Sequence, residues 1–192
     1  RDQPRSRGLG DVYKRQRIIE EKYSADIMFL IQQANLRSEQ LKSEQMNALH
    51  NEIKAATEAP NKELTNINVA SYASPDGGVK LNTTLAENRE KNTVNYMKKS
   101  LKKGKIDADM TAEFTAQDWE GFKELVSKSN IQDKELILNV LSMYSDPEQR
   151  EREIKNMSSV FKVLAEEILP QLRYSRITAS CLLYTSDAAD EE

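Results

Sequence analysis

Few residues in this chain have side chains suited to catalysis or to metal binding. Its 192 residues include one histidine, His50, and one cysteine, Cys181. A metal site needs several His, Cys or carboxylate side chains close together, so the sequence predicts no metal site. The pair Gly77-Gly78 lacks the Lys-Ser/Thr step that follows in a phosphate-binding loop. Because no nucleophile motif is present either, we expect a protein that is not an enzyme and that uses no cofactor.

Residues 71–97 carry the most informative spacing in the chain. They read SYASPDGGVKLNTTLAENREKNTVNYM. This stretch resembles the core signature of the OmpA-like (OmpA/MotB C-terminal) peptidoglycan-binding domain. The residues in register without a gap are Tyr72, Gly77, Asn82, Leu85, Arg89, Tyr96 and Met97. A weaker resemblance extends back to residue 25, forward to residue 114, and again over residues 172–180.

The resemblance implies a ligand and a set of residues that bind it. In that family an Arg, here Arg89, holds a carboxylate of the diaminopimelate residue in the peptidoglycan stem, and an Asp holds the ammonium group. A planar guanidinium suits a carboxylate, and a helix N-terminus adds free N–H donors. The family's Asp falls on Ser74, and we hypothesise that Asp76 supplies the missing charge. The ligand-binding residues that the resemblance implies are Arg89, Ser74, Asp76, Gly77 and Asn82.

The same residues also have purely structural interpretations. Arg89 could be a solvated helix residue that pairs with a nearby acidic side chain. Asn82 could hydrogen-bond the start of a helix, and Gly77 could serve only as a turn residue with positive φ.

Three further features fit structural roles better than chemical ones. His50 lies on an amphipathic helix, and we expect it at the surface or partly buried. Trp119 fits core or cap packing better than ligand stacking. The lysines of residues 98–105 are typical of a solvated helix end, with contact to an anionic glycan or lipid as the alternative.

Hydrophobic periodicity predicts the elements that hold this stretch in place. Strands are predicted at residues 26–31, 64–73, 106–114 and 173–179. Helices are predicted at residues 38–56, 81–103, 119–126, 133–144 and 147–168. Ser38, the capping box at residues 115–118 and Asp146-Pro147 are the expected helix starts, and Gly104 is an expected C-cap.

The order β-α-β-α-β-(ααα)-β predicts an α/β fold, an α+β sandwich with helices packed on one mixed four-stranded sheet. Residues 115–171 are longer than the usual connection in the family, and we interpret them as a helical insertion. Composition agrees with one ordinary domain: 38% of residues are hydrophobic, 31% are charged and the net charge is −3. This balance gives no electrostatic footprint for nucleic acid, and no apolar run is long enough for a transmembrane helix.

Both ends of the chain resemble translated sequencing-library adapter. The DNA string GATGTGTATAAGAGACAG encodes residues 11–16, and its reverse complement encodes residues 181–186 over nearly its whole length. Chance similarity is the alternative. We therefore expect residues 1–16 to be adapter-derived and disordered, residues 17–180 to form the domain, and residues 181–192 to be an adapter-derived tail.

The first functional interpretation is a non-catalytic cell-envelope domain. It would bind the diaminopimelate-containing peptide stem of peptidoglycan and tether an outer-membrane or periplasmic protein to the wall of a Gram-negative type of envelope. The alternative is a protein–protein interaction module on the same fold, with an inactive stem pocket and the insertion as its working surface. A carboxylate facing Arg89 across an open cleft favours the first, and a pocket filled by Trp119 or Phe122 favours the second.

Overall fold

A computed structural model describes residues 16–186 of the chain. Its four strands are β1 (Gln16–Met28), β2 (Lys62–Tyr72), β3 (Asp109–Thr115) and β4 (Tyr174–Ser186). They form one mixed sheet in the order β1-β4-β2-β3. β4 is antiparallel to both of its neighbours, whereas β2 and β3 are parallel. The last of these strands in sequence, β4, therefore occupies an interior position in the sheet.

Three helices precede the insertion. They are α1 (Ser38–Leu41), α2 (Glu44–Glu58) and α3 (Val79–Lys103). α2 and α3 pack on one face of the sheet and share a buried core with it. That core includes Ile27, Leu49, Ile53, Val69 and Met97.

Residues 115–171, for which we keep the name insertion, fold around a second hydrophobic core. Its helices are α4 (Trp119–Lys128), α5 (Lys134–Met143), α6 (Pro147–Lys155) and α7 (Ser158–Glu167), followed by the 3-10 helix Leu169–Leu172. Phe122, Val126, Ile137 and Leu164 are among its buried side chains. Helices packed on a mixed four-stranded sheet confirm the predicted fold class.

Several boundaries differ from the prediction for local reasons. The helix predicted at residues 38–56 is broken, because the Ser43 side chain accepts the Met46 N–H at 3.2 Å and caps α2, whereas Ser38 is not an N-cap. The helix predicted at residues 147–168 is divided after Asn156, the C-cap of α6. The insertion therefore has four α-helices instead of three.

The first strand also lies earlier in the chain than its apolar run suggested. After Met28 the backbone turns: the Gln33 N–H donates to the Leu30 carbonyl at 3.1 Å, and Gln32 has a φ of 54°. Leu30 and Ile31 are exposed, at 47% and 55%. The apolar run thus ends in a surface turn, and β1 extends backward to Gln16.

Part of each terminal segment lies in the described region. Residues 181–186 belong to β4, where they pair with residues 16–21 of β1. The prediction of disorder for residues 1–15 and the tail at residues 187–192 lie outside the described residues. Across residues 16–186, the helices are too short or too polar to cross a membrane.

Candidate functional site

The loop between β2 and α3 contains three of the predicted ligand-binding residues. Gly77 has a φ of +96°, a backbone conformation that glycine adopts without a steric penalty. Asn82, in the first turn of α3, is buried, and its side-chain amide donates to the Asp76 carbonyl at 3.0 Å. Asn82 thus stabilises the loop at the start of the helix, which agrees with its structural interpretation.

Arg89 lies inside the protein and does not face an open notch. Its side chain is 0% exposed. Its guanidinium donates to three backbone carbonyls, those of Gln33 at 2.9 Å, Tyr72 at 2.8 Å and Leu30 at 3.3 Å. The Phe29 ring lies 5.0 Å from the guanidinium carbon. The donors that the resemblance assigned to a ligand carboxylate are therefore used to join the turn after β1 to the end of β2.

The electrostatic surroundings of Arg89 agree with this structural role. Burial lowers the pKa of Arg89 to about 10; the positive charge of Arg173 adds to this effect, and the Asp76 carboxylate opposes it. The guanidinium remains protonated at neutral pH. The expectation that Arg89 is a solvated residue paired with an acidic neighbour is wrong, because its partners are carbonyl oxygens.

Asp76 and Ser74 lie together, as the compensation hypothesis requires. The Ser74 hydroxyl donates to the Asp76 carboxylate at 2.5 Å. Arg173 approaches both: its Nε is 3.4 Å from the Ser74 hydroxyl and its Nη2 is 3.8 Å from the Asp76 carboxylate. Burial lowers the pKa of Arg173, and Asp76 opposes that shift. The cation beside this loop is thus Arg173.

A side chain of the insertion accepts a hydrogen bond from a backbone N–H of the loop. The Glu151 carboxylate on α6 accepts the Gly77 N–H at 2.9 Å and pairs with Lys155 at 2.5 Å. On the other side, the Gln117 side chain donates to the Gly77 carbonyl at 3.2 Å. A carboxylate from the chain itself therefore accepts the hydrogen bond of a backbone N–H that the resemblance assigns to a ligand.

The space next to Asp76 is nearly filled. A cavity of about 20 Å³ remains between the loop and the insertion. Its walls include Pro75, Trp119, Phe122 and Phe161. A cavity of this volume holds about one water molecule. It has no room for the terminus of an amino acid.

Trp119 and His50 take the structural roles expected for them. The Trp119 ring packs edge-on against Phe122, with the centroids 5.5 Å apart, and the Arg150 guanidinium lies 5.4 Å from its centroid. His50 is half-buried within 3.1 Å of the Tyr96 hydroxyl, and burial lowers its pKa. Over residues 16–186, no group of three metal-ligating side chains forms.

Sequence reasoning missed two of the residues that shape this site. Arg173 was visible only as part of the basic start of the last strand, with nothing to connect it to residue 74 or 76. Glu151 is 74 residues from Gly77. It lies in a segment of charged residues, where no spacing marks one carboxylate among many.

No protein-family model matches the chain, and no curated protein matches its sequence.

The structure brings the predicted ligand-binding residues together only in part. Ser74, Asp76, Gly77 and Asn82 share one loop and helix start, whereas Arg89 contributes its donors to the interior.

Proposed function

We propose that this chain is a non-catalytic interaction domain on an OmpA-like scaffold. Its own helical insertion fills the stem pocket next to Asp76 and Gly77, and it provides the surface that contacts a partner protein. The location we propose is the periplasm, in association with the outer membrane of a Gram-negative type of envelope.

The hydrogen bond from Gly77 to Glu151 carries this proposal. A loop N–H held by an internal carboxylate is not available to a ligand carboxylate. Trp119 and Phe122 fill the adjacent space, so that only about 20 Å³ is left. The Arg89 donors bind backbone carbonyls, and the Gly77 N–H binds the Glu151 carboxylate. The guanidinium, the N–H donor and the space that a ligand carboxylate would need are therefore all occupied by groups of the chain itself.

The outer side of α5 supports the choice of the insertion as the contact surface. Leu136 is 50% exposed and Met143 is 69% exposed. They are seven residues apart and therefore lie on the same side of the helix. Exposed apolar side chains on one helix face are a common feature of protein–protein contact sites.

Sedimentation with purified peptidoglycan sacculi tests whether the stem pocket is closed to its ligand. We expect the full chain to remain in the supernatant. Retention of the full chain that is lost on Asp76→Asn would contradict the proposal.

Photo-crosslinking tests the partner surface. A probe at Met143 is expected to give a discrete protein adduct in cells that carry the chain, whereas the same probe at exposed Ser24 is not. Equal labelling from both positions would contradict the assignment of the surface to α5.

Binding of the diaminopimelate stem is the second candidate function. The proximity of Ser74, Asp76 and Arg173 favours it, because a carboxylate and a guanidinium at one loop suit a zwitterion. This candidate requires α6 to move away from the loop. It predicts that Glu151→Ala increases retention on sacculi, and unchanged retention would count against it.

A further inference from the structure

The C-terminal end of α3 carries a dense group of lysines that the proposed function does not use. We call Lys98, Lys99, Lys102, Lys103 and Lys105 the lysine end. All five are exposed. Within residues 16–186, no acidic side chain forms an ion pair with any of them. Residues 91–106 contain no Asp or Glu, although the chain as a whole has a net charge of −3.

Helix stability does not account for the whole group. Cations in the last turn of a helix interact favourably with its dipole, but the effect fades beyond that turn. Lys102 and Lys103 belong to the last turn of α3. Lys98 and Lys99 lie a turn earlier, and Lys105 lies beyond the helix. The helix dipole therefore accounts for Lys102 and Lys103 but not for the other three lysines.

Lys105 is also in a conformation that favours glycine. Its φ is 57°, in the left-handed region. The Ile106 N–H donates to the Leu101 carbonyl at 2.8 Å and the Lys105 N–H to the Lys102 carbonyl at 3.1 Å. This is the hydrogen-bond pattern of a Schellman motif, in which glycine is the usual residue at the position of Lys105. A lysine is thus held where glycine is less strained.

We infer that the lysine end is a docking surface for an anionic lipid bilayer. Clusters of four to eight basic residues next to a membrane are attracted to anionic lipid, each contributing roughly 1 kcal/mol. The ammonium groups are point charges without the bidentate geometry that arginine offers to one discrete phosphate. No aromatic side chain lies within residues 98–105 to stack on a nucleic-acid base. Five exposed ammonium groups therefore suit the distributed negative charge of an anionic membrane surface.

This placement orients the domain relative to the bilayer. α3 has 25 residues and is therefore about 37 Å long. The loop of residues 73–78 and the insertion that contacts it lie at its other end. With the lysine end on the membrane, the insertion faces away from the bilayer, where a partner protein can reach it.

Vesicle co-sedimentation of the full chain tests the inference. The probes are vesicles of phosphatidylcholine alone and of phosphatidylcholine mixed with phosphatidylglycerol. The variant combines Lys98→Gln, Lys99→Gln, Lys102→Gln and Lys103→Gln, which keeps good helix formers on an exposed surface. A control with the same change in net charge combines Lys22→Gln, Lys80→Gln, Lys123→Gln and Lys162→Gln, all at exposed positions.

We expect the wild-type chain and the control to bind only the mixed vesicles, and more weakly as salt is raised. The lysine-end variant, which loses four lysines, should partition roughly a thousandfold more weakly. Equal binding by the variant and the control would overturn the inference, as would binding to phosphatidylcholine alone. Tighter binding to a short DNA duplex than to the mixed vesicles would instead identify a nucleic-acid surface and would also overturn it.

Discussion

The Glu151 carboxylate accepts a hydrogen bond from the backbone N–H of Gly77 at 2.9 Å and so fastens the insertion to the loop after β2. The Glu151 side chain is only 16% exposed, so the bond is protected from water. A protected bond to a charged acceptor contributes more to stability than a neutral surface bond, about 1.5–3 kcal/mol. The contact therefore helps to hold α6 over the loop.

Removing this carboxylate should release the loop amide. We expect Glu151→Ala to accelerate hydrogen exchange of the Gly77 N–H by about tenfold or more, because local opening no longer breaks a charged hydrogen bond. Exchange measured by NMR checks this. Glu148→Ala, on the same helix but exposed, is the matched control and should leave the Gly77 rate unchanged.

Truncating Arg89 should destabilise the whole sheet domain. Arg89→Ala leaves the carbonyls of Leu30, Gln33 and Tyr72 without their donor, and we expect a loss of about 3 kcal/mol or more in the free energy of unfolding. Arg89→Lys keeps the charge but cannot reach three carbonyls, and an intermediate loss is expected. Urea unfolding measures both. Lys91→Ala, at an exposed position two residues on, should change stability by less than about 0.5 kcal/mol.

The start of α4 should respond to substitution in an unusual way. The Asp118 side chain accepts the Gly121 N–H at 2.9 Å, and a Cβ on Gly121 would lie 2.3 Å from that carboxylate. Gly121→Ala should therefore be destabilising, although alanine normally gains about 1 kcal/mol over glycine in a helix. When Asp118→Ala has already removed the cap, Gly121→Ala should be stabilising. A double-mutant cycle from thermal melts checks this; the same sign in both backgrounds would contradict it.

Asp118 should also make stability depend on pH. Burial raises its pKa above the ordinary value of 3.8, and the bond from Gly121 only partly offsets this. The folded state then holds the proton more tightly than the unfolded state, so stability falls as pH rises from about 3.8 through the folded-state pKa. Asp118→Asn keeps a capping side chain and removes this slope. Urea melts at a series of pH values should show the stability of the wild-type chain, relative to Asp118→Asn, decreasing over that window; an increase would contradict the argument.

Relief of the backbone strain at Lys105 should stabilise the protein. Lys105→Gly should raise the free energy of unfolding by about 1 kcal/mol, because glycine adopts positive φ without steric cost. Lys103→Gly, inside the helix, should lower it by about 1 kcal/mol and serves as the contrast. Chemical denaturation distinguishes the two. Destabilisation by Lys105→Gly would show that its side chain makes a compensating contact.

Much of the fold was predictable because its signals are local. Alternating residues in β2 and the Gly104 C-cap depend on neighbours within a few positions, and the structure confirms them. The apolar side predicted for α3 was only partly correct: Arg89 and Leu101 are buried, whereas Leu81 is 51% exposed. The break between α6 and α7 was missed, since the apolar spacing through Ile154 and Phe161 continues across it. Periodicity reports which face is buried and not whether the backbone is continuous.

The site was less predictable because its contacts are distant along the chain. The spacing within residues 71–97 placed Asp76 and Gly77 in one loop before a helix, and they lie in one loop before α3. It could not reveal that the Arg89 donors bind carbonyls of residues 30 and 33, nor that Arg173 approaches Ser74. Such contacts depend on tertiary packing, and a buried arginine has the same sequence neighbours as a solvated one.

The position of β4 has a consequence for biosynthesis. β1 and β2 are not neighbours in the sheet; each pairs with β4, which is the last of the described strands to be synthesised. Until β4 has been synthesised, the nascent chain can form its helices and the β2-β3 pair. β1 has no strand to pair with until then, because its partner β4 is more than 140 residues away. Such long-range pairing slows folding. The sheet should therefore complete only after β4 has been synthesised, and a chaperone that shields β1 until then would raise the yield of native protein.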